Sequence, residues 1–301
     1  MRTWLAYSVY PVLWGGSVIT LVVAMSAGIP YPWIGPPLLL AVGLAVAMLE
    51  RIQPHAREWL HDRSDLRTDV AHFVANVAVS QGSLALFAAL APVRASLPSA
   101  WPSALPLAVQ VLIATLVIDL GLYAIHRASH VVPALWRLHS IHHSAERIYW
   151  INGQRRHLVH ELLEGAPGLL ALFALGAPVS IIAAAIAIVT LHLFFQHANV
   201  EYRLGPLRHV FAVGEVHRWH HQRRYEDVQG NYAAVLALWD HLFGTALPKQ
   251  GDAPLDVGLD QDLPRDFWGQ LRWPFRVDSF QDPSATARHE HVELPNRSET
   301  R

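Results

Sequence analysis

The chain has 301 residues, of which 52% are hydrophobic and only 16% are charged. This composition excludes a single water-soluble domain, whose surface must be mostly polar, and it argues against a disordered chain. The 23 Lys and Arg residues against 24 Asp and Glu residues leave no basic face for nucleic acid, and the absence of Cys excludes disulfides, thiolate nucleophiles and Cys-ligated metals. We therefore predict an integral membrane protein, in which the 19 His residues are the unusual feature.

The first predicted element is a hairpin of two membrane helices. No charged residue occurs from Thr3 to Leu49, a run that is too long for one helix. Glycine and proline residues between positions 28 and 37 interrupt the run, and both residue types commonly end or begin helices. The first arm, Trp4 to Ala27, could instead be a signal peptide, but it exceeds the usual ~7–15 apolar residues and no A-x-A cleavage site follows it.

The segment from Glu50 to Asp69 has the charge pattern of a helix in the aqueous or interfacial layer. It contains four Arg and five acidic residues. Within it, Glu58 to His61 matches the E-x-x-H motif of soluble di-iron bundles, but only once, so we predict a surface helix there. Two more membrane helices are predicted to follow, from about Val70 to Leu90 and from about Leu105 to Ile125.

The distribution of Arg residues predicts the orientation in the membrane. Three segments are rich in Arg: 50–69, 127–164 and 201–224. The short loops 28–37 and 91–104 hold one Arg between them, so the three Arg-rich segments are expected on the cytoplasmic side. The last apolar stretch, Gly165 to Val200, must then enter and leave on that same side, with its break at Gly176-Ala177-Pro178.

These elements predict an all-α integral membrane protein. We expect about four transmembrane helices, a re-entrant helical hairpin and a cytoplasmic helical cap that holds the His residues, with both termini cytoplasmic. In a bacterium the membrane would be the inner or plasma membrane. The expected parts are membrane helices with an interfacial segment over 1–110, a His-rich domain over 111–247 and a soluble tail over 248–301.

The histidines of the second half of the chain form three motifs. Fourteen of the 19 His residues lie between His126 and His241. One motif is H-x-x-x-H and two are H-x-x-H-H, formed by His126 and His130, by His139, His142 and His143, and by His217, His220 and His221. Residues three and four apart share one face of a helix, so each motif directs its imidazoles the same way. Eight convergent imidazole nitrogens are too many for one ion and suit two, with Fe, Zn, Cu and Ni as the candidate metals.

Other polar residues are candidates to complete such a centre. His197 lies at the same predicted level as the three motifs and is the candidate ninth ligand. Asn199 could orient it or hold a water. Asp119, seven residues before His126, is a candidate acceptor for a ligand His N–H, because a carboxylate at membrane depth is usually functional or paired. Its alternative role is a helix-packing hydrogen bond to Tyr123 or to a neighbouring helix. No catalytic residue separate from the metal centre is predicted.

Three further histidines have alternative readings. His157 and His160, three residues apart, could each supply another ligand or could belong to the start of a surface helix. His192, in the middle of the predicted hairpin, is expected to be a packing or relay residue. His160 and Glu161 begin like the H-E-x-x-H motif of zinc proteases, but Glu164 stands where the second His is needed, so that motif fails.

These motifs resemble those of the membrane fatty acid hydroxylase / sterol desaturase superfamily. The resemblance covers about Leu112 to Thr245, somewhat under half of the chain. It is carried by Asp119 to His130, Leu135 to Ser144, Gln196 to Asn199, Val216 to Gln222, and Asn231-Tyr232 with Leu238 to Thr245. It implies a non-haem di-iron domain that uses O₂ to hydroxylate or desaturate a lipid. The implied ligands of the two iron ions are His126, His130, His139, His142, His143, His197, His217, His220 and His221.

The resemblance also implies partners. No cytochrome b5-like domain is expected within the remaining residues, so electrons are predicted to come from a separate carrier of the ferredoxin or cytochrome b5 type, with its reductase. The other expected partners are the membrane and a lipid substrate, and nucleic acid is not among them. One departure concerns the ligands: where a His followed three positions later by Glu is expected after the second motif, this chain has His157 followed by His160.

A His-rich membrane metal transporter is the principal alternative function, and a structural zinc protein is a second. A transporter needs ionisable residues along several membrane helices, whereas the predicted spans contain little beyond Asp119, His72 and His192. The residues therefore favour an O₂-dependent lipid oxidoreductase, and they do not distinguish hydroxylation from desaturation.

Overall fold

A computed structural model describes residues 3–249 and 251–276. Over these ranges the chain is helical, with isolated β-bridges and no β-strand. The helices are α1 (Trp4–Ser26), α2 (Tyr31–Ile52), α3 (Leu66–Ala95), α4 (Leu107–Val131), α5 (Pro133–His143), α6 (Leu158–Leu175), α7 (Val179–Gln196), α8 (Gly214–His217), α9 (Leu238–Leu242) and α10 (Phe267–Arg272). Helices α1 to α4, α6 and α7 are long and apolar enough to cross a membrane, which confirms the predicted all-α membrane class.

The prediction of a helix over Glu50 to Asp69 is wrong. Helix α2 continues to Ile52 and α3 already begins at Leu66, so the charged residues are divided between two helix ends and a loop. The loop contains a single 3-10 turn, Arg57–Leu60, where a surface helix was predicted. Pro54 explains the interruption, because the residue before a proline is disfavoured in the helical conformation.

A buried arginine holds this loop in place. The Arg147 guanidinium donates to the Trp59 carbonyl oxygen at 3.1 Å and to the Asp65 carboxylate at 2.7 and 2.9 Å. The Trp59 side chain is only 1% exposed, so the loop contributes to the interior rather than lying on the surface. Residues about 80 positions away in sequence therefore fix the conformation of the loop.

Helices α6 and α7 are joined at the predicted break, but they diverge from it as a splayed hairpin, because α4 packs against both of them. Gly176 ends α6 in the left-handed conformation, with φ 86°. The Arg94 guanidinium donates to the carbonyl oxygens of Phe173 and Ala174 at 2.7 and 2.8 Å, and the Phe173 oxygen also accepts from the Gly176 N–H, so the end of α6 is capped. Helix α6 begins at Leu158, earlier than predicted, so the hairpin reaches further toward the histidine motifs.

Helix α7 is the central helix of the bundle. It is apolar on nearly all sides, and 78% of its residues are buried, as expected for a helix surrounded by others. Helices α4 and α6 approach closely beside it through Gly121 and Gly168. A Cβ at Gly168 would lie 2.7 Å from the Ile118 Cα, so only glycine allows this contact.

The described part of the C-terminal segment packs back on α3. Gln270, in α10, is fully buried, and its Oε1 lies 2.8 Å from His72 Nε2. The Thr68 hydroxyl donates to the Arg265 carbonyl oxygen at 2.7 Å. The predicted soluble tail begins at residue 248, and its part over 277–301 lies outside the described residues.

Candidate metal centre

Four parts of the chain bring the histidine motifs together at one end of the bundle. The last two turns of α4 contain His126 and His130, and the second motif occupies α5. His197 directly follows the last residue of α7. The third motif runs through α8 into the adjoining 3-10 turn Arg218–His221, so its three rings still leave the backbone on one side.

The nine predicted side chains form two groups. His126, His130, His139, His143 and His220 make up the first group, and His142, His197, His217 and His221 make up the second. Within each group one ring nitrogen per residue lies within 4.8 Å of all the others. No ring of the nine is more than 7% exposed. The structure therefore brings together all nine residues and divides them into a group of five and a group of four.

The distances between ring nitrogens match those of ligands on a shared ion. In the first group, Nε2 of His126 lies 2.9 Å from Nε2 of His220. In the second, Nε2 of His217 lies 3.0 Å from Nε2 of His197 and 2.9 Å from Nε2 of His221. Two imidazole nitrogens bound at about 2.1 Å to one ion, at a right angle, are about 3.0 Å apart.

The hydrogen bonding of ring nitrogens in the first group also fits metal binding. Both nitrogens of His130 are unpaired, and the Nε2 atoms of His139 and His143, which face the first group, lie 3.1 Å from each other. Buried polar atoms are normally satisfied, so a buried ring with both nitrogens unpaired needs an explanation. An all-imidazole donor set without thiolates suits iron or another first-row transition metal.

Backbone carbonyl groups orient two of the rings. Nδ1 of His126 lies 2.7 Å from the Tyr232 carbonyl oxygen, and Nδ1 of His220 lies 2.7 Å from the Gly230 carbonyl oxygen. Both rings can donate N–H from Nδ1 to these acceptors, which leaves Nε2 unprotonated toward the group. The Asp240 carboxylate holds this carbonyl segment by accepting from the Tyr232 backbone N–H at 2.8 Å.

The histidines outside the membrane helices are held in the neutral form. Burial lowers the pKa of His139, His142 and His143 well below the ordinary value, and the neighbouring rings and cations lower it further. Burial also lowers the pKa of His197 to about 3 and that of His220 to about 4. Neutral imidazole is the form that binds metal ions, so the rings do not have to lose a proton first at neutral pH.

The role predicted for Asp119 is not observed. Its carboxylate accepts from the backbone N–H groups of Val235 and Leu236 at 2.8 and 3.0 Å and from the Trp239 indole N–H at 2.8 Å. Asp119 therefore fixes the turn before α9 and contacts none of the nine histidines. Of the two alternatives, the bond to Tyr123 is not formed, but the bond to a neighbouring helix is, because Trp239 belongs to α9.

Asn199 likewise holds a backbone segment instead of a ligand. Its side chain accepts from the Ala56 N–H and donates to the Ala56 carbonyl oxygen, both at 2.9 Å. The position beside His197 that was predicted for Asn199 is occupied by Asn152, whose Oδ1 lies 3.3 Å from His197 Nδ1. Sequence reasoning missed Asn152 because it lies in the 3-10 turn Trp150–Gln154, with no motif residue nearby in the chain.

Two of the three remaining histidines lie outside the groups. His157 caps the N-terminus of α6, where its Nδ1 accepts from the Val159 N–H at 3.1 Å. His192 lies 2.7 Å from the Tyr10 hydroxyl through Nδ1 and 3.2 Å from the Ala212 carbonyl oxygen through Nε2, consistent with packing.

His160 borders the first group. Its ring centroid is 4.7 Å from that of His139, and its Nε2 lies 2.9 Å from the Ser129 hydroxyl. Its Nδ1 lies 3.6 Å from the Glu164 carboxylate, so His160 and Glu164 form an outer layer beside His139.

A family model places the second half of the chain among known proteins. The model described as fatty acid hydroxylase matches residues 111–245. The ornithine lipid hydroxylase OlsE of Rhizobium tropici is 30% identical over 242 residues, which are 76% of this chain and 72% of that protein. No solved structure matches the chain.

Shorter similarities extend to animal enzymes. The alkylglycerol monooxygenase of Homo sapiens is 36% identical over 136 residues, which are 44% of this chain but only 29% of that protein. The methylsterol monooxygenase 1 of Rattus norvegicus is 25% identical over 131 residues, 43% of this chain and 44% of that protein. The chain thus spans less than half of either animal relative.

Proposed function

The chain belongs to the fatty acid hydroxylase family, and from that premise we propose that it is a di-iron enzyme that hydroxylates a membrane lipid. Relatives in this family are lipid hydroxylases and monooxygenases, so the chain is a lipid oxidoreductase of the monooxygenase type. An ornithine-containing lipid is the first substrate to test, because the relative named for that lipid aligns over most of both chains.

The observation that carries this proposal is the pair of buried histidine groups. We assign one iron ion to the group of five and one to the group of four. When bound, the two iron ions supply the redox chemistry by which O₂ attacks an unactivated C–H bond. The protein holds the nine rings neutral, oriented and away from bulk water. Asp119 and Asn199 support the surrounding turns without contacting these rings.

An apolar cavity adjoins both groups. A small chamber of about 20 Å³, here called the metal chamber, is lined by histidines of both groups together with Leu122, Arg156 and Leu193. The same three residues also line a cavity of about 220 Å³ between α3, α4, α6 and α7, here called the inner cavity. A lipid chain in the inner cavity would therefore present its carbons to the metal chamber in surroundings that exclude water.

The metal transporter is disfavoured by the contacts of the ionisable residues in the spans. His72 lies within hydrogen-bond distance of the Arg156 carbonyl oxygen and Gln270, and His192 of Tyr10 and a backbone carbonyl. The Asp119 carboxylate accepts three hydrogen bonds. These residues link protein segments to one another and do not line a common path.

The other parts of the proposal concern the partner and the membrane. Electrons come from a separate carrier of the ferredoxin or cytochrome b5 type with its reductase, and the histidine groups face the cytoplasm. The hairpin of α6 and α7 re-enters on that side. The chain comprises membrane helices over 1–110, the di-iron domain over 111–247 and a soluble tail from 248.

The function is tested by turnover with isotopic oxygen. The protein, purified with iron and reconstituted in nanodiscs that contain ornithine lipid, is supplied with ferredoxin, its reductase and ¹⁸O₂. We expect close to two iron ions per chain and a lipid product that has gained one ¹⁸O atom, measured by mass spectrometry. An unlabelled product lighter by two hydrogens would identify a desaturase instead. A product that forms equally well without O₂, or no product from any membrane lipid, would contradict the proposal.

The orientation is tested by labelling single cysteines, which the Cys-free chain makes unambiguous. Glu146→Cys and Glu226→Cys lie at exposed positions near the second and third motifs, and Ser103→Cys lies in the exposed loop between α3 and α4. We expect an impermeant maleimide to react with the first two from the cytoplasm and with the third only from the opposite side. Labelling of Glu146→Cys and Glu226→Cys from different sides would rule out the re-entrant hairpin.

A further inference from the structure

Two apolar cavities lie along neighbouring faces of α3. The inner cavity is lined by Leu86 and Leu169 among other apolar residues. Beside it a second cavity of about 470 Å³, here called the outer cavity, lies between α2, α3 and α7 and is lined by Leu40, Leu44 and Val77. Leu44 and Leu86 are 62% and 56% exposed, so each cavity reaches the lipid-facing surface of the helices.

The two cavities meet at one polar place. They share five lining residues, here called the junction: Ser80, Gln154, Glu161, Ile186 and Thr190. Four of the five have polar side chains, whereas apolar residues predominate elsewhere in both cavities. A polar part of a ligand is costly to bury among apolar residues unless it finds polar partners, so the junction is the part of the two cavities suited to hold it.

A buried ion-pair cluster connects the junction to the metal chamber. The Arg156 guanidinium lies 3.2 Å from the carboxylate oxygens of both Glu161 and Glu164. Glu161 belongs to the junction, and Glu164 and Arg156 line the metal chamber beside His139. Polar side chains therefore connect the junction to the histidine groups, whereas the rest of both cavities is mainly apolar.

A single-chain lipid needs one apolar channel, whereas a lipid with two chains needs two channels that diverge from one polar point. We infer that the substrate is a two-chain lipid, with its polar linkage at the junction, one chain in the inner cavity and the other in the outer cavity. This inference rests on the proposed lipid-oxidising function and narrows its substrate class. The volumes of the two cavities fall together within the about 300–1,000 Å³ that is usual for ligand sites.

The arrangement also determines which part of the lipid is oxidised. The inner cavity borders the metal chamber through Leu122, Arg156 and Leu193, and Arg156 pairs with Glu161 of the junction. The carbons that approach the metal chamber are therefore those of the chain in the inner cavity that lie near the polar linkage. The substrate class is thus a two-chain lipid that is oxidised close to its linkage or headgroup.

The experiment blocks each cavity separately. Leu44→Trp fills the outer cavity, and Leu86→Trp fills the inner cavity; both side chains are already largely exposed, so the larger ring does not disturb a packed core. Leu112→Trp, at a 55% exposed position of α4 that lines neither cavity, is the matched control. Iron content and the unfolding midpoint of all three variants are measured first, and we expect both to equal those of the wild type.

The probes are ornithine lipid with two palmitoyl chains, the matched ornithine amide with one palmitoyl chain, and the total polar lipid extract of the host membrane. We expect each blocking variant to lower turnover of the two-chain lipid about tenfold or more, since small displacements of a reacting carbon are costly, and the control to leave it unchanged. For the wild type we expect the oxidised species in the extract to be two-chain lipids.

Two results would overturn the inference: equal turnover of the one-chain and two-chain probes, or a loss of turnover from only one of the two blocking variants. A wild type that oxidises neither ornithine probe and no lipid in the extract would instead contradict the proposed function itself. The two failures are therefore distinguishable in the same set of measurements.

Discussion

His142→Ala and His143→Ala are each expected to abolish lipid oxidation while the helical bundle remains folded. The two residues are neighbours in α5, yet His142 belongs to the group of four and His143 to the group of five. Each substitution therefore removes one imidazole from a different one of the two proposed iron sites. Loss of a group that hydrogen-bonds to a metal ligand commonly lowers metal affinity or activity about 10–100-fold. Removal of the ligand itself should lower the activity by more than about 100-fold.

The metal content should separate the two variants. The group of four falls to three imidazoles in His142→Ala, and we expect this variant to retain close to one iron ion per chain. In His143→Ala the group of five keeps four imidazoles. We expect this variant to bind the iron ion of that group more weakly and to lose it on dialysis against a chelator. His241→Ala, at an exposed position of α9, is the matched control and should keep both ions and full turnover. Full iron content and turnover in both α5 variants would disprove the ligand assignment.

Local spacing is sufficient to predict which histidines act together, but not how they are divided. The i, i+3 and i+4 pattern identifies His139, His142 and His143 because these positions share one face of a helix. The division between two groups depends on which partners approach from α4, α8 and the end of α7. His197 became a candidate only through the family resemblance and the predicted level of the helix end. No pattern within the chain indicated its contact with Asn152.

The membrane helices were predictable because length and hydropathy determine them. The same reasoning failed between Glu50 and Asp69, where charge was taken as a sign of an exposed helix. In the structure several of these charges are paired in the interior, as Asp65 is with Arg147. The role of Asp119 was missed for a similar reason: its donors come from Val235 and Trp239, and a long-range hydrogen bond leaves no trace in spacing.

Arg147→Ala is expected to cause a large loss of stability. The side chain is 5% exposed and its guanidinium donates to both carboxylate oxygens of Asp65, which is 8% exposed. Removal of one partner from a buried ion pair leaves an uncompensated charge and costs about 3–5 kcal/mol. We expect the unfolding midpoint in detergent to fall by about 10 °C. The matched control is Arg63→Ala, whose partner Glu146 lies 3.8 Å away with both side chains 42% exposed, and about 0–1 kcal/mol is expected there.

The pH dependence of this pair provides an independent check of the same contact. Burial acts to raise the pKa of Asp65, but the hydrogen bonds from Arg147 outweigh it and hold the pKa below its ordinary value. The folded state therefore binds this proton less readily than the unfolded state, whose pKa is about 3.9. The stabilisation by Asp65 is complete above that pH and is lost as the pH falls through the lower pKa of the folded state.

In Arg147→Ala the hydrogen bonds from Arg147 are lost, while burial still raises the pKa of Asp65 and the Arg63 backbone N–H still lowers it, so this pKa should rise from its wild-type position. The variant should therefore lose less stability on acidification than the wild type, and the difference between their unfolding midpoints should narrow as the pH is lowered from about 5 to about 3. Arg63→Ala, measured over the same range, should show no such narrowing. A difference that stays constant down to about pH 3 would mean that Arg147 stabilises the loop through packing and its bond to the Trp59 carbonyl oxygen, and not through the charge of Asp65.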